Sequence, residues 1–151
     1  MGKDKNLLFS VLFVLLIWCI FAYSFKSGPS LREIRDAREF MLMDMQALIA
    51  SGGKIEFYDP DRKTKLGRAD LTLIISADSW GYELSNIYQA IMSANGWEKI
   101  DNESDKITFC KDGAFAFMTK PKRGEDDHPM NGVIVMEFDG ATLKRCHYRK
   151  R

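Results

Sequence analysis

Residues Lys106–Thr119, KITFCKDGAFAFMT, carry the reading that decides the fold. Two short runs rich in β-branched and aromatic residues flank Lys111-Asp112-Gly113, which reads as a tight hairpin turn. The period-2 alternation of a strand puts Phe115 and Phe117 on one side and Ala114, Ala116 and Met118 on the other. Downstream, Gly132–Phe138 and Ala141–Tyr148 form a second expected hairpin across Asp139-Gly140, the strongest short hairpin signal in the chain. Between the hairpins lies a polar loop of both charge signs, Lys120–Met130. Consecutive hairpins imply an antiparallel meander with helices on one face.

Working back toward the N-terminus, Trp97–Ile100 opens this run of strands. Ser79–Ala94 reads as a helix with Leu84, Ile87, Tyr88 and Ile91 on one face, and Asn95-Gly96 supplies its left-handed stop. Leu71–Ser76, LTLIIS, is short and nearly all apolar, as buried strands are. Lys54–Tyr58 is a further short strand, followed by the turn Asp59-Pro60-Asp61. A longer helix is expected from Ser30, where Ser30-Leu-Arg-Glu33 forms a capping box, to about Ala50, stopping at Gly52-Gly53. Leu31, Ile34, Met41, Met45 and Leu48 share its apolar stripe.

Before this domain stands Leu7–Phe25, LLFSVLFVLLIWCIFAYSF, nineteen residues without a charge, thirteen of them Leu, Ile, Val or Phe. As a helix it would be roughly 28 Å long, close to the thickness of a bilayer's hydrocarbon core. It reads as a single transmembrane signal-anchor. The chain then divides into a tail (1–6), the anchor (7–25), a linker (26–29) and one α+β domain (30–151), a small antiparallel sheet packed against two helices. A cleaved signal peptide is the rival reading, because Ala22-Tyr23-Ser24 offers small residues for a cut after Ser24. The lysine-bearing tail resembles an ordinary signal n-region and places the domain outside the cytoplasm, in the periplasm if the host is bacterial; cleavage would make it secreted. The count of Lys26, Arg32, Arg35 and Arg38 after the anchor points the other way.

The 151-residue chain without residues 1–25 is long enough for one core and too short for two. Those residues take Lys3 and Lys5 from the 22 Lys+Arg and Asp4 from the 21 Asp+Glu, so the remainder is formally neutral. Neutrality argues against nucleic acid as a partner, since phosphate binding needs a sustained basic surplus. Cys110 and Cys146 form an even pair outside the anchor, and a disulfide between them is a possibility if the domain is exported.

No catalytic constellation, cofactor motif or metal-ligand spacing stands out. Glu125-Asp126-Asp127-His128 is the one cluster of hard-metal ligand types, and its consecutive residues read as a solvated turn. Trp80, Tyr82, Tyr88 and Trp97 are the candidate interaction surface, a groove for peptide or sugar, weighed against plain aromatic core packing. The plan of an apolar N-terminal helix, an amphipathic helix and a small antiparallel sheet resembles type IV pilins in layout. The glycine processing site and the early glutamate of pilins have no counterpart here. Two functional classes stay open. The first is a membrane-anchored, non-enzymatic interaction domain with a protein partner, an accessory subunit of an envelope complex or an inhibitor or immunity-like protein. The second is an exported ligand-binding or hydrolytic module, with polar groups around Asp78, Trp80 and Tyr82 or the Glu125–His128 loop.

Overall fold

The computed structural model describes residues 13–19, 28–60, 67–121 and 130–147. Residues 13–19 are helical (α1). They are followed by α2 (Leu31–Ala50), β1 (Ile55–Asp59), β2 (Ala69–Ile75), α3 (Tyr82–Ala94), β3 (Glu98–Asn102), β4 (Lys106–Lys111), β5 (Ala114–Thr119), β6 (Gly132–Phe138) and α4 (Gly140–His147). The six strands form one antiparallel sheet in the order β1-β2-β6-β5-β4-β3. β1 and β2 pair first, and α3 carries the chain to the far edge. The meander β3-β4-β5-β6 then returns until β6 seals against β2. Among the described residues no helix is long and apolar enough to cross a membrane. Most of Leu7–Phe25 lies outside them, as does the cut site after Ser24.

Local chemistry accounts for most of the element ends. Ser30 caps α2 as a full capping box: Glu33 N–H donates to the Ser30 hydroxyl, and Ser30 N–H donates to Glu33 Oε2 at 2.7 Å. At the other end of α3, Trp97 N–H donates to Met92 O and Gly96 N–H to Ser93 O, both at 3.0 Å. That is a Schellman motif, and it needs the left-handed φ of +85° that Gly96 adopts. Asp112 and Gly113, with φ of 47° and 85°, make the two-residue turn between β4 and β5.

The second expected hairpin does not exist. The sequence predicts a strand over Ala141–Tyr148, but Gly140–His147 is a helix. Asp139 is its N-cap: Oδ1 accepts from Ala141 and Thr142 N–H at 2.8 Å, and Thr142 Oγ1 accepts from Asp139 N–H at 2.8 Å. β6 also has no free edge, because β2 and β5 flank it on both sides. A strand folding back after Asp139-Gly140 would find its pairing positions taken. Among the described residues α4 is therefore a helix beyond those expected, since α1 falls within the expected N-terminal helix and α2 and α3 are the two expected around the sheet.

The main core lies between α2, α3 and one face of the sheet. Met41, Met45 and Leu48 meet Leu71, Leu73 and Ile75 of β2 and Ile134, Met136 and Phe138 of β6, all buried. Ala114, Ala116 and Met118 face the same way from β5. Ala69, Ala114 and Ala116 add little bulk, so the backbones of helix and sheet can approach. A second, smaller cluster sits on the opposite face, where Phe115 and the Cys110–Cys146 pair pack with Ile100 and Phe117. The helices therefore do not all share one face: α4 brings Leu143 to the main core and Cys146 to the other side.

Candidate functional site

The outer face of the sheet is where chemistry-bearing residues collect. Strand register lines them up in rows. Thr72, Val135, Phe117, Thr108 and Asp101 lie side by side across β2, β6, β5, β4 and β3. One step along, Asp70, Glu137, Phe115, Cys110 and Glu98 form the next row. α4 lies across one end of this face, pinned there by the Cys110–Cys146 disulfide with its Cα atoms 5.6 Å apart. Beyond α4 the face is open, and Phe117, Val133, Val135 and Ile74 are only half-buried.

Two cavities on this face share Lys106, Phe115 and Arg145 and so form one groove along β4 and β5. The larger, about 390 Å³, is floored by Phe115 and Phe117 and edged by Asp105, Thr119 and Glu137. The smaller, about 120 Å³, extends toward Asp101 and Glu103. Arg145, carried by α4, lays its guanidinium 4.3 Å from the centre of the Phe115 ring. Lys106 pairs with Glu103 at 3.2 Å.

Glu137 sits at the margin of the groove. Burial holds its carboxyl above the ordinary value of 4.5; Arg68 pulls it back, Asp70 and Asp139 push it further up, and Arg145 draws it down. Arg68 reaches Glu137 Oε1 at 2.9 Å and Asp70 Oδ2 at 3.2 Å, bridging two carboxylates that face each other across β6 and β2. This arrangement holds charge at a partly dry surface and presents aromatic rings beside it. Among the described residues no group of three or more His, Cys, Asp and Glu is arranged to hold a metal ion.

The four aromatics expected as a surface are not brought together as one. Trp80, Tyr88 and Trp97 are buried, at 5%, 0% and 2% exposure, while Tyr82 is 74% exposed on the first turn of α3. The Trp80 and Tyr88 rings meet at a tilt of 55° with centroids 5.9 Å apart, and the Tyr88 hydroxyl donates to Gly52 O at 2.6 Å. Trp97 packs edge-on to Phe40 and donates from Nε1 to Asp44 at 2.8 Å. Tyr88 and Trp97 thus satisfy their polar atoms inside the fold, while the Trp80 Nε1 is buried without a hydrogen-bond partner. Asp78 is exposed beside the buried Trp80, and the Glu125–His128 cluster lies outside the described residues.

Sequence reasoning missed Arg145, Glu137, Arg68 and Lys106. One signal pointed to their neighbourhood. β5 is apolar on both sides, with Ala114, Ala116 and Met118 against the helices, so Phe115 and Phe117 needed a cover of their own. No protein-family model, curated protein or solved structure matches the chain.

Proposed function

We propose that this chain is a membrane-tethered interaction domain, anchored through Leu7–Phe25 outside the cytoplasm and engaging a protein partner with the outer face of its sheet. The observation that carries the tether is the exposure of α1. Phe13, Val14, Leu15, Leu16, Ile17 and Trp18 are 63%, 58%, 57%, 60%, 42% and 74% exposed. Six consecutive positions point in every direction around a helix, so this segment is apolar all round. Such a helix suits lipid and is costly in water. Location outside the cytoplasm is supported by the Cys110–Cys146 disulfide, since such bonds persist in oxidising compartments. The partner-binding part rests on the groove described above, in which rings and charges are held ready on a rigid sheet. An accessory subunit of an envelope complex, or an inhibitor of one, is the role this construction fits.

The experiment measures topology and processing together. The chain would carry a C-terminal reporter active only outside the cytoplasm, and the carbonate-resistant membrane fraction would be analysed by intact mass. An external signal with residues 1–25 retained is the expected result. Loss of residues 1–24 would replace the tether with a secreted domain. A silent reporter would place the domain in the cytoplasm and overturn the reading.

A further inference from the structure

We infer that the cleft between α2 and α4 is closed by the four residues that follow α4, Tyr148-Arg149-Lys150-Arg151, which set three cations against Glu33, Asp36 and Asp112 over an apolar floor. Phe138 and Leu143 in its lining belong to the main core, so the cleft lies apart from the outer sheet face. Its closure does not depend on the membrane tether.

Three observations carry it. The first is charge. Glu33, Asp36 and Asp112 rim the cleft, and among the described residues no lysine or arginine lines it. Their present partners leave most of that charge uncancelled. Glu33 accepts from the Ser30 N–H and hydroxyl, both neutral donors that hold its carboxyl below the ordinary value and so keep it ionised. Asp36 stands 3.9 Å from Arg32 in an exposed pair, a weak arrangement. Asp112 is exposed and has no hydrogen bond or ion pair among the described residues. Lys111, which lies over the Phe40 ring, is already held by Asp44 at 2.7 Å. The second observation is the floor. Phe40 and Leu143 are half-buried beside buried Phe138, in a cleft of about 380 Å³. A tyrosine ring and the stems of arginine and lysine cover such a surface while their polar heads stay at the rim. The third is continuity. His147, the last residue of α4, itself lines the cleft, so Tyr148 starts at its edge. Four extended residues reach at most about 14 Å, and Glu33 to Phe40 runs about 10 Å along α2. A segment joined at the rim acts at a millimolar effective concentration, so contacts too weak to hold a separate molecule suffice. Closure ties α4 to α2, beyond its bonds to the sheet.

The test uses the full chain reconstituted in neutral phosphatidylcholine nanodiscs, where the basic segment has no anionic lipid to bind. A carbodiimide joins a carboxylate to an amine in contact with it, and Lys150 supplies that amine. Expected is an amide between Lys150 and Asp112, Asp36 or Glu33, located by peptide mass spectrometry, whose yield falls several-fold in about 1 M salt. In an equal mixture of light and heavy-isotope chains, each crosslink should join peptides of one isotope. Footprinting with carbodiimide and glycine ethyl ester then reads the cover. Asp112 should be modified several-fold faster when Arg149→Gln, Lys150→Gln and Arg151→Gln are combined, while Asp78, exposed at the opposite end of the sheet, reacts at an unchanged rate. Arg149→Lys with Arg151→Lys should keep Asp112 protected. The substituted positions lie outside the packed core, so the fold is not at stake. Mixed-isotope crosslinks would give the cleft to a second copy and overturn the inference. So would crosslinks spread without preference over Glu98, Asp139 and the cleft, or equal modification of Asp112 with and without the three cations.

Discussion

Lys111 Nζ lies 2.7 Å from Asp44 Oδ2, joining the end of β4 to the middle of α2 across the main core. The same oxygen accepts from Trp97 Nε1 at 2.8 Å, and the ammonium rests 4.7 Å from the Phe40 ring centre. Asp44 is 6% exposed. A carboxylate so placed is held by two donors, one of them a cation, and removing it strands both. Asp44→Ala is expected to cost about 3 kcal/mol, the scale of breaking a buried pair from one side. Asp44→Asn keeps an acceptor for Trp97 and should cost less. Urea unfolding with an unchanged slope reads both; a loss below about 1 kcal/mol for Asp44→Ala would refute the account.

Cys110 and Cys146 close a loop across a sequence separation of 36, and the bond ties α4 to the sheet. Constraining the unfolded chain over that span is worth about 3–4 kcal/mol in the loop-entropy picture. Reduction, or Cys110→Ser with Cys146→Ser, is expected to lower the unfolding free energy by a substantial part of that. Thiol counting under denaturing conditions tests the bond directly: of the 3 cysteines, only Cys19 should alkylate before reduction. Three reactive thiols in protein purified without reductant from an oxidising compartment would contradict it.

Gly132 begins β6 directly under the Trp80 ring. A Cβ there would come within 2.3 Å of ring carbon Cδ2. Gly132→Ala should therefore cost about 1–3 kcal/mol by overpacking. The indole has to shift, so its fluorescence should change too. Trp80→Leu in the same chain makes room, and the second substitution should be cheaper in the Gly132→Ala background than alone. Additive losses in this double-mutant cycle would show that the two residues do not clash.

Glu33 and Glu137 impose opposite pH dependences. The Ser30 backbone N–H, then its hydroxyl, hold Glu33 below 4.5; burial chiefly holds Glu137 above it. Glu33 thus adds stability that is complete above its unfolded value and lost as pH falls through its lower folded value. Ionising Glu137 costs stability, and the cost sets in as pH rises from 4.5 through its higher folded value. Glu137→Gln should then stabilise the domain near neutral pH and leave it nearly unchanged in strong acid. Glu33→Gln should destabilise near neutral pH and converge with the parent in acid. Denaturant midpoints from about pH 3 to pH 8 check both. Destabilisation by Glu137→Gln at neutral pH would mean that its pairing with Arg68 outweighs its burial.

The α+β class, the helix beginning at Ser30, the stop at Gly96 and the turn at Asp112-Gly113 were legible in the chain because each is decided within a few residues. A serine hydroxyl three positions before a glutamate, or a glycine able to take positive φ, acts through bonds to its own neighbours. The α2 stripe was legible for a related reason: Ile34, Met41, Met45 and Leu48 repeat at the helix's own period and are buried. Its first member, Leu31, shows the limit of that logic. It has the right spacing but is 70% exposed, while Ile34 in the same turn is buried.

Asp112-Gly113 and Asp139-Gly140 are the same dipeptide after an apolar strand, and one turns a hairpin while the other starts a helix. Nothing inside the dipeptide separates them. β4 has room beside it for β5, whereas β6 arrives between β2 and β5 with both edges filled. That is settled by strands far apart in sequence. The groove has the same origin: Phe115 and Phe117 come from β5, Glu137 from β6 and Arg145 from α4. The sequence by itself determined the caps, turns and periodicities, whose bonds are local. Only the tertiary structure decided which strand edges were free, which aromatics went inside and which charges met on the outer face, because burial and pairing depend on what the rest of the chain has already occupied.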